Sequence, residues 1–212
     1  MSGPYDFEEQ ERIAELKAWW EDNGKFVIGA VVAALLAVAG WRGWLYWSAA
    51  RADEAAALLQ PVLKAEREKD SKKLLEAGQA LIDKQAGTFY ASQAALILAK
   101  SAFEARRLSE ARERLEWVMR KGVEEHRGVA RLRLASVLLD EGKYAEALTI
   151  LDGNKDEAFA ANAADVKGDI MLAQGRLDEA RAAYKLAIDR AEPRNPVRGI
   201  AEVKLNALGG AK

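Results

Sequence analysis

The run FVIGAVVAALLAVAGWRGWLYWSAA, residues 26–50, constrains this chain more than any other feature. Lys25 and Arg51 bracket it, and Arg42 is the sole charge inside it. About 20 mostly apolar residues are enough for a helix to cross the hydrocarbon core of a bilayer. A helix also satisfies its own backbone hydrogen bonds there. Trp41, Trp44, Tyr46 and Trp47 crowd the downstream end, and Trp19 and Trp20 precede the upstream end. Rings of this kind favour the headgroup level, so the two clusters read as interfacial anchors. Arg42 sits near enough to an end for its guanidinium to snorkel outward. A helix in a soluble core rarely stays uncharged for so long, and the run predicts a transmembrane helix over residues 26–50, with lipid as its partner.

A cleaved signal would carry a basic leader before a shorter apolar run. Residues 1–25 instead hold seven acids against Arg12, Lys17 and Lys25. That predicts an uncleaved, single-pass anchor preceded by an N-terminal segment over residues 1–25. Orientation follows the Lys/Arg bias beside the membrane. Arg12, Lys17 and Lys25 on one side balance Arg51, Lys64 and Arg67 on the other, so charge leaves the orientation open.

Residues 51–212 are enough for one sizeable domain. They contain 28 Lys/Arg and 26 Asp/Glu, a balance that gives no general attraction to nucleic acid. Cysteine is absent, which excludes disulfides, thiol catalysis and thiolate metal sites. His126 is the single histidine, expected exposed near a helix start, and no second histidine supports a zinc site. No glycine-rich phosphate loop is present. The acidic pairs Glu124/Glu125 and Asp165/Asp169 read as the wet faces of helices. The sequence therefore offers no catalytic residue, no cofactor and no metal site. Four prolines and abundant Ala and Leu predict an all-α fold.

Within this domain the pattern repeats about every 34 residues, a period that implies stacked helical pairs. Residues 98–118, 134–152 and 167–187 are the clear copies, and residues 65–81 form a weaker first one. Aligning them puts Ala77, Ala111, Ala147 and Ala180 in one column, where a small residue lets two helices approach closely. Leu74, Leu108, Tyr144 and Leu177 form a second column; Leu81, Leu115, Leu151 and Tyr184 form a third on the same helical face. Ala65, Ala99, Ala135 and Gly168 recur in the preceding helices. Gly142 and Gly175 fall where a C-cap glycine is expected. These columns resemble the tetratricopeptide repeat (TPR) pattern, over roughly residues 52–191, although the first-helix Trp of that pattern is missing. Residues 195–208 read as a terminal capping helix. The expected architecture is an N-terminal transmembrane helix followed by a TPR-like α-solenoid of helical hairpins. Each unit buries its apolar face against its neighbours.

The resemblance implies a concave face lined by the first helix of each pair. The columns place Lys100 and Phe103 there from one repeat, Arg133, Ser136 and Leu139 from the next, and Asn162, Asp165 and Asp169 from the last. A mixed apolar and charged surface of this kind suits a peptide or helix of another protein. The Lys/Asn/Arg set with which some TPR domains grip a terminal carboxylate is not reproduced.

The region around the apolar run carries a narrower resemblance. It reads Trp19-Trp20-Glu21-Asp22-Asn23-Gly24-Lys25 before the anchor and Gly40-Trp41-Arg42-Gly43-Trp44 at its exit. With the acidic N-terminus and the repeats, this resembles the ancillary SecYEG translocon subunit family. The resemblance implies a non-enzymatic protein of the bacterial inner membrane, its N-terminus cytoplasmic and its repeat domain periplasmic. Implied partners are the SecYEG translocon, a membrane-anchored periplasmic prolyl-isomerase-like chaperone, and exported client proteins handed on to periplasmic chaperones. Residues 8–25, with Ile13, Leu16, Trp19 and Trp20 at helical spacing, are expected to form an amphipathic stretch on the inner leaflet. The alternative is a membrane-tethered TPR scaffold or regulator of another envelope process, such as cell-wall assembly or envelope stress signalling.

Overall fold

A computed structural model describes residues 5–154 and 156–209, with side chains from Glu11 onward. Residues 1–4, 155 and 210–212, which belong to the expected N-terminal segment and repeat domain, lie outside the described residues. The elements in chain order are α1 (Tyr5–Arg67), α2 (Ser71–Lys84), α3 (Phe89–Glu104), α4 (Leu108–Lys121), α5 (Glu124–Asp140), α6 (Tyr144–Asp152), α7 (Ala160–Ala173), α8 (Leu177–Arg190) and α9 (Pro196–Ala207). A 3₁₀ turn, Glu157–Phe159, precedes α7, and no strand occurs among the described residues. The chain divides into two compact units, Met1–Arg51 and Ala52–Lys212.

In the first unit, α1 carries the expected apolar run without a break. Its large side chains face outward: Leu35, Leu36 and Trp41 are each more than 60% exposed. This stretch is long and apolar enough to cross a membrane. From Trp20 to Trp41 the helix rises about 32 Å, close to the thickness of a bilayer's hydrocarbon core. The aromatic clusters therefore stand one bilayer apart along the helix. At the downstream end Trp41 and Trp44 tilt against each other at 5.5 Å, and the Arg51 guanidinium lies 4.9 Å from the centroid of the Trp47 ring. At the upstream end the Asn23 amide donates to the Trp19 carbonyl at 3.0 Å.

The second unit is the helical-hairpin solenoid. Residues 52–67 of α1 act as its first helix, contributing Ala55, Leu59, Val62 and Ala65 to the core. α2, α4, α6 and α8 are the second helices of four pairs, and α9 caps the end. Each pair closes through the same turn. Backbone N–H groups of Asp70, Arg107, Lys143 and Arg176 reach back five residues to the carbonyls of Ala65, Ala102, Leu138 and Met171. The residue before each donor has positive φ: Lys69 (55°), Arg106 (60°), Gly142 (74°) and Gly175 (74°). This is a Schellman closure repeated four times. Glycine accepts the left-handed conformation freely, whereas Lys69 and Arg106 adopt it at a cost of roughly 1–2 kcal/mol each.

These turns correct the alignment of the first copy. Measured from them, the column holding Ala111, Ala147 and Ala180 contains Leu74, not Ala77. The column of Leu115, Leu151 and Tyr184 contains Gly78, and the column of Ala99, Ala135 and Gly168 contains Val62 rather than Ala65. The slip is three residues. That is nearly one helical turn, so an apolar face survives it, and only the turn fixes the register. Sizes compensate across the helices. Where Gly78 leaves room, Leu98 of α3 fills it, with a Cβ at Gly78 lying only 2.9 Å from the Leu98 side chain. Where Gly168 leaves room, the fully buried Tyr184 ring occupies it.

The last helix, α9, is satisfied at both of its ends. Asn195 accepts from the Val197 N–H at 3.0 Å, and Pro196 takes the first helical position, where its missing N–H costs nothing. Arg181 donates twice to the Leu208 carbonyl, at 3.0 and 2.8 Å, satisfying the far end of α9.

Candidate functional site

The first-helix face of the repeats is the candidate interaction surface. α3 begins at the Thr88 cap, whose hydroxyl accepts from the Ala91 N–H at 3.2 Å. From there Lys100 and Phe103 lie one turn apart on α3, as Arg133 and Ser136 do on α5, and all four converge on one pocket. Ala99, Leu115 and Val137 complete its lining, and its volume is about 260 Å³. A second hollow of about 520 Å³ adjoins it through Lys100 and is edged by Glu66, Leu74, Ile97 and Glu104. The sequence columns thus bring Lys100, Phe103, Arg133 and Ser136 together. Of the floor residues, Ala99 and Leu115 belong to the repeat columns, and nothing in the sequence pattern signals an opening above them.

The polar groups of the pocket are not alike. Lys100 shares its charge with Glu66 at 3.5 Å and Glu104 at 4.0 Å. The Ser136 hydroxyl donates to the Leu132 carbonyl at 3.2 Å. Arg133 makes one long hydrogen bond, 3.4 Å to the Leu96 carbonyl, and burial lowers its pKa.

The remaining expected residues lie elsewhere. Leu139 packs against the hydrophobic core. Asn162 is half-buried on α7. Asp165 and Asp169 meet Lys204 of α9, which donates at 2.9 and 2.8 Å to the two oxygens of Asp165 and at 2.7 Å to Asp169. The Tyr184 hydroxyl also donates to Asp169, at 2.8 Å. Burial pushes the Asp165 carboxyl up from its ordinary value, against the pull of Lys204. Burial alone would lower Lys204, but the two carboxylates together hold it above its ordinary value. Burial and the Asp169 carboxylate raise Tyr184 further, beyond any physiological titration. Asp165 and Asp169 are thus engaged in fastening the cap. Their partner Lys204 follows Asp169 by 35 residues, one repeat length.

The same spacing recurs elsewhere on the solenoid. Glu66 pairs with Lys100 and Asp140 with Arg106, each 34 residues apart, and Gln79 meets Arg114 at a separation of 35. His126 is half-buried rather than exposed. Its ring lies 4.4 Å from that of Phe89, and burial lowers its pKa.

The anchor residues Trp19, Trp20, Trp41, Arg42, Trp44 and Trp47 are all exposed along α1.

Comparison with known proteins adds the following. The family described as "Tetratricopeptide repeat-like domain" matches residues 17–210. A Haemophilus influenzae protein named "Ancillary SecYEG translocon subunit" is 31% identical over 208 residues, covering 96% of this chain and 99% of its own length. Proteins of the same name from Neisseria gonorrhoeae and Escherichia coli K12 are 28% and 27% identical. They cover 95% and 94% of this chain, and 97% and 96% of their own lengths. Among solved structures, a chain titled "MamA RS-1 ArsTM double mutant" is similar with a TM-score of 0.54 at 16% identity. That likeness covers 74% of this chain and 89% of the other, and it concerns the fold alone.

Proposed function

Since the chain belongs to the ancillary SecYEG translocon subunits, a family with a tetratricopeptide repeat-like domain, we propose that it is a single-pass membrane adaptor of the Sec translocon. The observation that carries this reading is the extent of the match. It runs along nearly the whole length of both chains, through the apolar helix as well as the repeats. A similarity confined to the repeats would speak for a shared fold only.

On this reading residues 26–50 cross the inner membrane, residues 1–25 are cytoplasmic, and residues 51–212 are periplasmic. The exposed apolar face of α1 meets lipid or the translocon's own helices, and the aromatic clusters at its two ends sit at the interfaces. The repeat domain works without catalysis. It receives segments of emerging exported proteins and hands them to periplasmic chaperones, among them a membrane-anchored prolyl-isomerase-like protein. The concave face presents Lys100, Phe103, Arg133 and Ser136 for these contacts.

The test is purification of the tagged full-length protein in mild detergent, with mass spectrometry of everything retained. Recovery of SecYEG subunits supports the proposal. Their loss from a variant lacking residues 1–51 would assign the contact to the anchor. Recovery of cell-wall enzymes or of a signalling protein without SecYEG would overturn the translocon reading in favour of another envelope role.

A further inference from the structure

The pocket between α3 and α5 combines an apolar floor with a charge that no carboxylate among the described residues meets. Ala99, Leu115 and Val137 are almost fully buried beneath it, and Phe103 forms one wall. On the rim the Lys100 charge is met by two carboxylates and the Ser136 hydroxyl is satisfied by its own helix. Arg133 differs. Among the described residues no carboxylate approaches it within ion-pair distance, whereas Arg106, Arg112 and Arg127 on the same domain each meet one. A guanidinium does not shed its proton at physiological pH. Arg133 itself is exposed at the rim, so its guanidinium can reach a carboxylate seated over the apolar floor.

We infer that this pocket receives a segment of a partner protein in which a bulky apolar side chain stands beside an Asp or Glu. The apolar group settles over Leu115 and Val137 against Phe103, and the carboxylate pairs with the Arg133 guanidinium. Charge complementarity selects this occupant: a neutral apolar segment leaves Arg133 without a carboxylate, and a basic one is repelled by it, while Lys100 is already paired with Glu66 and Glu104. The inference rests on the adaptor reading in that the occupant is a protein segment. It specifies what that segment must display.

The experiment uses the full-length protein in nanodiscs, with empty nanodiscs to subtract lipid binding. The probes are two fluorescent peptides of equal length, one built on repeated Phe-Glu pairs and the other with Gln for every Glu. Fluorescence anisotropy is expected to show saturable binding of the Glu peptide, about tenfold tighter than its Gln twin. Arg133→Gln should equalise the two, Arg133→Lys should restore part of the preference, and Phe103→Ala should weaken both peptides. Added salt should weaken the Glu peptide alone, a readout that needs no variant. Equal affinity of the twins, absence of saturable binding, or a Glu preference that survives Arg133→Gln would overturn the inference. Retention of SecYEG subunits is read in the separate purification, so either idea can fail while the other stands.

Discussion

The two units of this chain use apolar residues in opposite ways. Along α1 up to Arg51 the large side chains, among them Leu35, Leu36, Trp41 and Trp47, face outward, and glycines such as Gly29 and Gly40 have nothing near them. In the repeats the inside is built largely of small residues. Ala55, Ala94, Ala111, Ala135, Ala147 and Ala180 are fully buried, and Gly78, Gly128 and Gly168 press against rings and methyl groups. The difference teaches that overall hydrophobicity does not report packing. The first unit satisfies its backbone within one helix and leaves its side chains for lipid, while the second gains its stability from helices brought close enough to interlock.

The largest break in this comparison comes from charging the first unit. Replacing Leu35 and Leu36 together by Arg adds roughly 2.5–3.5 kcal/mol of insertion cost for each residue. The protein should leave the membrane fraction on flotation while its repeats stay folded. Full retention in the membrane would show that this stretch lies outside the lipid core.

A glycine-to-alanine pair sharpens the contrast. Gly168→Ala drives a Cβ into the Tyr184 ring, which is buried and tied to Asp169, and should destabilise the repeat domain by about 1–3 kcal/mol in a urea titration. Gly29→Ala meets no atom and should leave the same transition unmoved.

Next in size is Lys204→Met, which removes the base between Asp165 and Asp169 and should cost about 1–3 kcal/mol at neutral pH. The pH dependence has a defined sign. The folded pKa of Lys204 lies above its unfolded value of 10.5, so its contribution is complete below 10.5 and fades as pH rises through the folded value. Melting temperatures of parent and variant should converge only in strong alkali. A constant gap across that range would remove the ion cluster as the cause.

The smallest effects concern the turns. Lys69→Gly should stabilise the domain by roughly 0.5–1 kcal/mol by relieving its left-handed backbone. Gly142→Ala, at the matching position, should destabilise by about 1 kcal/mol. Shifts of the same sign in the two variants would deny that the turns are equivalent.

Much of this was legible in the sequence, for physical reasons that also mark where legibility stops. The apolar run announces itself by length and by freedom from charge. The later repeats announce themselves through Ala111, Ala147 and Ala180 together with the glycines at 142 and 175. The register of the first repeat escapes the sequence because Lys69 occupies a turn that glycine would have flagged. That Lys100, Phe103, Arg133 and Ser136 share a face is what the resemblance to the TPR pattern implies; helical spacing by itself sets only Lys100 beside Phe103 and Arg133 beside Ser136. That Arg133 meets no carboxylate among the described residues while Asp165 meets Lys204 depends on which side chains come together across the stack. Lys204 enters from the capping helix, whose docking geometry no local pattern encodes.

The fastening of α9 bears on how long the protein lasts where peptidases are abundant. An enzyme that starts at the carboxyl end must first free a helix held at one point by Lys204 between two carboxylates and at another by Arg181 on the Leu208 carbonyl. Fraying of a terminal helix is ordinarily the least costly opening a domain makes. Here it requires separating charges that are partly shielded from water, so the open population that a peptidase can seize is small. Release of α9 is thus governed by a clasp whose other half is held by α7 and α8.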